Sequence, residues 1–130
     1  MLLIIDNTED DKTTLYFWLN KKLVQQIFKK VPSSRNNDSL LICLDKFLSK
    51  LKITIKDIKC LGVVVGSGRF TSTRLAVTMA NTLAYGLHIP VIKLLKGFDE
   101  NLALETAKGS VAGKYILPEY SAEAHIQNKN

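Results

Sequence analysis

Hydrophobic and polar positions along the chain switch between two periods, and each switch marks a predicted element. Leu2 to Asp6 is a short apolar run that predicts a buried strand. After the polar turn Asn7-Thr8-Glu9-Asp10-Asp11, residues Thr13 to Leu19 are rich in β-branched and aromatic types and predict a second strand. Asn20-Lys21 suits a tight hairpin turn, and Leu23, Val24, Ile27 and Phe28 predict a third strand of less regular alternation. The stretch Pro32-Ser33-Ser34-Arg35-Asn36-Asn37 predicts a loop.

From Asp38 to Leu51 the period becomes helical. Leu40, Leu41, Leu44, Phe47, Leu48 and Leu51 form one apolar stripe, Asp38 is placed to cap it, and Ile42 falls on the polar side. Leu61, Val63, Val64 and Val65 then make an apolar run bounded by glycines, as expected of a strand from Cys60 to Val65 covered on both faces. Gly66 and Gly68 allow a sharp turn, and Thr71 and Ser72 can cap the free N–H groups of a long helix from Thr71 to Leu87. Pro90 to Leu94 predicts a last strand, and Gly97 to Thr106 a third helix initiated by Asp99. Three strands, helix, strand, helix, strand, helix is the order of an α/β layered domain.

The long helix carries an unusually wide apolar arc. At about 100° per residue, Leu75, Met79, Leu83, Ala76, Leu87, Ala80, Ala84 and Val77 sweep roughly 200°, more than the stripe a surface helix buries on one sheet. Ala76, Ala80 and Ala84 recur every fourth residue and leave an edge that another helix axis can approach closely. That neighbour is either the first helix of the same chain or a partner protein.

Composition narrows the function classes. With 130 residues and 46% hydrophobic content, the chain has the size and apolar content of one domain. No apolar run is long enough to span a membrane, and Met1-Leu2-Leu3-Ile4-Ile5-Asp6 lacks the basic start of a signal peptide, so a cytoplasmic location is expected. The net charge of +6 comes from scattered lysines with no aromatic-interleaved basic tract, which argues for ordinary solvated lysine over a nucleic-acid platform. Cys43 and Cys60 are expected to be packing residues, because their spacing with His88 and His125 suits neither a disulfide framework nor a zinc site. No G-x-S-x-G nucleophile elbow is present, and Gly66-Ser67-Gly68 is not a P-loop because no G-K-[ST] follows. An anion at this loop, held by Arg69, Arg74 and the helix N-terminus, remains open beside a plain turn with solvated arginines.

The loop Gly66-Ser67-Gly68-Arg69-Phe70-Thr71-Ser72-Thr73-Arg74 resembles the G-P-G-S-F-T-G-x-R segment of the TsaB (YeaZ) family. The continuation Ala80-Asn81-Thr82-Leu83-Ala84-Tyr85-Gly86-Leu87 and Ile89-Pro90-Val91-Ile92 is similar to that family's A-K-G-L-A-x-G-L…I-P-V-x-G. Ser67, Arg69, Ser72 and Lys93 depart from the pattern, which bears on any ligand contact of the loop. Residues 107–113 would be a junction, and Tyr115 to Ala124 resembles the family's C-terminal Y-L-R-x-P-x-A-E segment.

The resemblance implies a single ribonuclease-H-like domain of the actin-like ATPase group, with a mixed central sheet, over residues 1–106, followed by a junction and tail over residues 107–130. It implies a noncatalytic partner of TsaD in the synthesis of threonylcarbamoyladenosine on tRNA, with no cofactor or metal of its own. TsaE and ATP would enter only in the assembled complex, and tRNA contact would be indirect. The implied interface, with a TsaD-like protein or a second copy, comprises Ile42, Arg74, Ala76, Val77, Met79, Ala80, Leu83, Ala84 and Leu87. Asp6 falls where the ATPase group carries a metal-holding aspartate. Asp6, Gly66, Gly68, Arg69 and Thr71 are therefore the candidate residues if the chain is instead a nucleotide- or phosphate-binding enzyme domain. A self-associating module is the third reading.

Overall fold

The chain folds as one mixed sheet with helices on both faces. The computed structural model describes residues 1–19, 21–30, 36–66 and 70–116, the side chains of residues 36–39, 70 and 71 apart. Strands β1 (Leu2–Asp6), β2 (Lys12–Leu19) and β3 (Lys22–Lys29) form an antiparallel meander. Helix α1 (Asn36–Leu51) leads through a short 3-10 turn at Ile55–Asp57 to β4 (Cys60–Val65), which pairs parallel with β1. Helix α2 (Phe70–Leu87) crosses to β5 (Val91–Leu95), parallel to β4, and α3 (Glu100–Lys108) follows. The strand order is β3-β2-β1-β4-β5, with β2, β1 and β4 as interior strands and β3 and β5 at the edges.

Alternation along β1 divides the core. Leu3 and Ile5 point to the face covered by α1 and α2, with Leu15, Phe17, Leu44, Phe47, Leu61 and Val63. Leu2 and Ile4 point to the opposite face, where Val64, Ile92 and Leu94 pack with Ala103 of α3. Gly62 lies inside that second layer. A Cβ there would come within 3.1 Å of Leu94 Cδ1 and 3.2 Å of Ile4 Cγ1, so the absent side chain lets those two residues close over β4.

Local chemistry sets the ends of the elements. Lys21 takes a left-handed φ of 65° in the hairpin between β2 and β3; its neighbour Asn20 lies outside the described residues. Helices α1 and α2 end alike, with Lys52 and His88 left-handed and a following N–H returning to the last turn: Ile53 to the Leu48 carbonyl, Ile89 to the Ala84 carbonyl. Asp99 caps α3 by accepting from the Leu102 N–H at 2.9 Å.

The predicted elements are present with shifted edges. Helix α3 starts at Glu100 because Gly97, at a φ of 80°, belongs to the turn, and it runs to Lys108, past residue 106. Leu41 departs from the expected stripe, since it is 59% exposed and stands with Ile42 on the outer side of α1.

The apolar arc of α2 is a larger correction. Ala76, Val77, Ala80 and Ala84 are at most 1% exposed, packed in this chain's own core. Both candidate neighbours inside the chain, the sheet and α1, contact α2. Small side chains at these positions bring the α2 axis close to the sheet, so the alanine edge is the internal face of the helix and has no surface left to offer a partner.

Candidate functional site

Parallel pairing delivers the C-terminal ends of β1, β4 and β5 to one edge of the sheet. From β1 the chain turns toward β2, and from β4 it crosses toward β5, so the connections diverge between β1 and β4. A crevice at such a divergence is where open α/β sheets bind ligands. Asp6 ends β1, Gly66 follows β4, and Lys96 follows β5. Gly66 has a φ of 143°, a conformation that glycine adopts without strain.

Asp6 is nearly enclosed, its side chain 6% exposed. Its Oδ1 accepts from the Thr8 hydroxyl at 2.6 Å and the Thr8 N–H at 3.0 Å, and its Oδ2 accepts from Lys96 Nζ at 2.8 Å. Lys96 Nζ also donates to Glu9 Oε2 at 2.8 Å. Burial alone would raise the Asp6 pKa, but the hydrogen bonds from Lys96 and Thr8 outweigh it and hold the carboxyl below its ordinary value. Burial would lower the Lys96 pKa, and the two carboxylates outweigh it in turn, so it stands raised.

A second set of bonds fixes the start of α2 to the loop after β1. Asn7 Nδ2 donates to the Ser72 carbonyl at 2.9 Å, and Asn7 Oδ1 accepts from the Thr13 hydroxyl at 2.7 Å. Lys30 Nζ donates to the Glu9 carbonyl at 2.6 Å and reaches Ser72 Oγ at 3.5 Å. On the α3 face of the same edge, Asp6 and Lys96 border a cleft of about 300 Å³ with Tyr16, Gln25, Phe98 and Glu100. The Tyr16 and Phe98 rings meet edge to face at 5.3 Å between centroids.

The candidate residues separate into groups. Asp6 and Gly66 lie at the C-terminal ends of the neighbouring strands β1 and β4, whereas Gly68, Arg69 and the Thr71 side chain lie outside the described residues, as do the tail positions beyond residue 116. Ile42 and Arg74 are exposed, and Met79, Leu83 and Leu87 are half-buried at the margin of the core. Lys96 was not among the expected site residues. Its signal is positional, a lysine one residue beyond β5, the third parallel strand, which must emerge at the same edge as Asp6.

The aspartate does not fit a divalent metal. Both Asp6 oxygens are engaged by donors and an ammonium already stands against Oδ2, while a hard cation requires free oxygen lone pairs. Among the described residues no group of three or more His, Cys, Asp or Glu side chains is placed to ligate an ion. None of the described helices is long and apolar enough to cross a membrane.

Residues 30–96, just over half of the chain, match the family described as TsaD, tRNA N6-adenosine threonylcarbamoyltransferase. This chain belongs to the TsaD family. Its mixed α/β fold is similar to that of YeaZ. YeaZ from Pseudomonas aeruginosa superposes with a TM-score of 0.64 at 18% identity, over 72% of this chain and 43% of that one. A Pseudomonas aeruginosa protein described as uncharacterized with similarity to peptidase YeaZ gives 0.64 at 19% identity, over 72% and 42%. The TsaD-family chain thus spans about two fifths of each of these solved structures. No curated protein matches its sequence.

Proposed function

We propose that this TsaD-family chain is a noncatalytic TsaB-like component of tRNA threonylcarbamoyladenosine biosynthesis, docking on a TsaD-type protein through the outer surface of α1 and α2. The observation that carries the reading is the pair Leu41 and Ile42. They are 59% and 51% exposed on the helix layer that also bears half-buried Met79, Leu83 and Leu87. Adjacent large apolar side chains in water favour a covering surface. Arg74 supplies charge at the same layer, while the buried alanines contribute only by holding α2 close to the sheet.

In this reading residues 1–106 act as the TsaB-like domain and residues 107–130 as junction and tail. TsaE and ATP join only the assembled complex, tRNA contacts this chain indirectly, and the chemistry belongs to the partner. The paired state of Asp6 supports the noncatalytic role, because a carboxylate engaged by Lys96 and Thr8 is a poor base or ligand.

The test is co-expression with TsaD from the same source, followed by size-exclusion chromatography with mass measurement. A heterodimer is expected, and Ile42→Arg should lose it while remaining folded. A complex that survives Ile42→Arg unchanged counts against the α1 surface. A homodimer that persists on dilution and excludes TsaD counts against the heteromeric role.

A further inference from the structure

We infer that the Lys96 ammonium is a built-in counter-cation, occupying the place at the strand-end aspartate of this chain that a divalent metal would otherwise take. Three observations converge on the crevice. Asp6 is almost completely enclosed, so its negative charge needs a partner that water cannot supply. Its Oδ1 is saturated by two donors from Thr8, which leaves Oδ2 as the outward oxygen, and that oxygen meets Lys96 Nζ at 2.8 Å. The neighbouring carboxylate, Glu9, is drawn to the same ammonium at 2.8 Å.

Magnesium or manganese would need to strip Lys96 from both carboxylates, because an ammonium offers donors and no lone pair to a metal. Lys96 is also tethered. It follows β5 directly, and the turn at Gly97 carries the chain away, so the side chain lies at the mouth of the crevice with its Cβ 3.9 Å from the position a Gly66 Cβ would take. Because it is part of the chain, the ammonium competes with a metal from solution without depending on its own concentration. An exposed ion pair is commonly worth little, but here one member is enclosed, so releasing it uncovers a desolvated carboxylate. The inference concerns the chemistry of Asp6 alone and stands whether or not the chain meets a TsaD-type protein.

The experiment measures free Mn²⁺ by electron paramagnetic resonance against the full-length chain. Wild type should show no Mn²⁺ binding that Asp6→Asn removes. Lys96→Met should bind Mn²⁺ at least about tenfold more tightly than wild type, since a like charge has left the vicinity of the metal. The double variant Lys96→Met with Asp6→Asn should lose that gain. Mn²⁺ should also raise the melting temperature of Lys96→Met and leave that of wild type unchanged. Wild-type binding abolished by Asp6→Asn, or a Lys96→Met chain no better at holding Mn²⁺ than wild type, overturns the inference. Should Lys96→Met not fold, the Asp6 carboxyl carbon resonance of wild type decides: it is expected to stay in place as Mg²⁺ is added, and a saturable shift overturns the assignment.

Discussion

An arginine at position 80 separates packing from partnership on α2. Ala80 is fully buried in the core shared by the sheet and the two helices on that face. Lengthening its side chain overpacks the contact, which costs about 1 to 3 kcal/mol, and leaves a guanidinium unpaired in a dry interior, which costs several kcal/mol more. The sum exceeds about 5 kcal/mol, the lower end of single-domain stability. Urea unfolding of the isolated chain followed by circular dichroism reads this directly. With a slope of about 1 to 3 kcal/mol per molar, the midpoint should fall by about 2 M or more, or the variant should be unfolded without urea. Ile42→Arg is the control: at 51% exposure the new charge stays in water, and stability should change by no more than about 0.5 kcal/mol. If Ala80→Arg unfolds like wild type, α2 does not pack on the sheet by its alanine edge.

Two further outcomes follow from the hydrogen-bond geometry. Asn81 grips the backbone of Ile116 twice, Nδ2 donating to the carbonyl at 2.8 Å and Oδ1 accepting from the N–H at 3.0 Å. Asn81→Ala should cost about 1 to 3 kcal/mol, and hydrogen exchange at the Ile116 amide should speed up; unchanged protection there would mean another contact holds the segment. The lowered pKa of Asp6 fixes a sign in acid. The unfolded chain protonates this carboxyl near its ordinary 3.8, while the folded chain resists until lower pH. Its contribution is therefore complete above the unfolded value and fades as pH falls through the depressed one. Acid titration should show the stability gap between wild type and Asp6→Asn narrowing over that window, and a constant gap would show that Asp6 does not titrate as described.

Much of this architecture was legible from periodicity. Strands β1 and β4 announce themselves as near-continuous apolar runs because both faces are buried, α2 announces itself by its helical period, and the residues from Gly66 to Leu87 carry the family resemblance that the match over residues 30–96 supports. The direction of the alanine edge was not legible. A stripe of small residues signals close approach but not what approaches, and here the chain's own core takes up the alanine side of the arc. Leu41 was misplaced for a related reason, since it sits at the flank of the α1 stripe and a helical wheel cannot tell the flank facing the core from the flank facing water. Lys96 escaped because its role depends on reaching past β4 to a residue near the start of the chain, a relation set by strand order rather than by sequence spacing.

The position of β1 bears on how the chain emerges during synthesis. Its antiparallel neighbour β2 follows a few residues later, so the meander closes through short loops, whereas its parallel neighbour β4 is made only after α1. A nascent chain that has finished β3 but not β4 therefore presents the open hydrogen-bonding rim of its most apolar strand, the segment most prone to pair with a stranger. Protection arrives when Cys60 to Val65 leave the ribosome. Slowing translation between α1 and β4 should lower the soluble yield of this protein more than slowing it after β5.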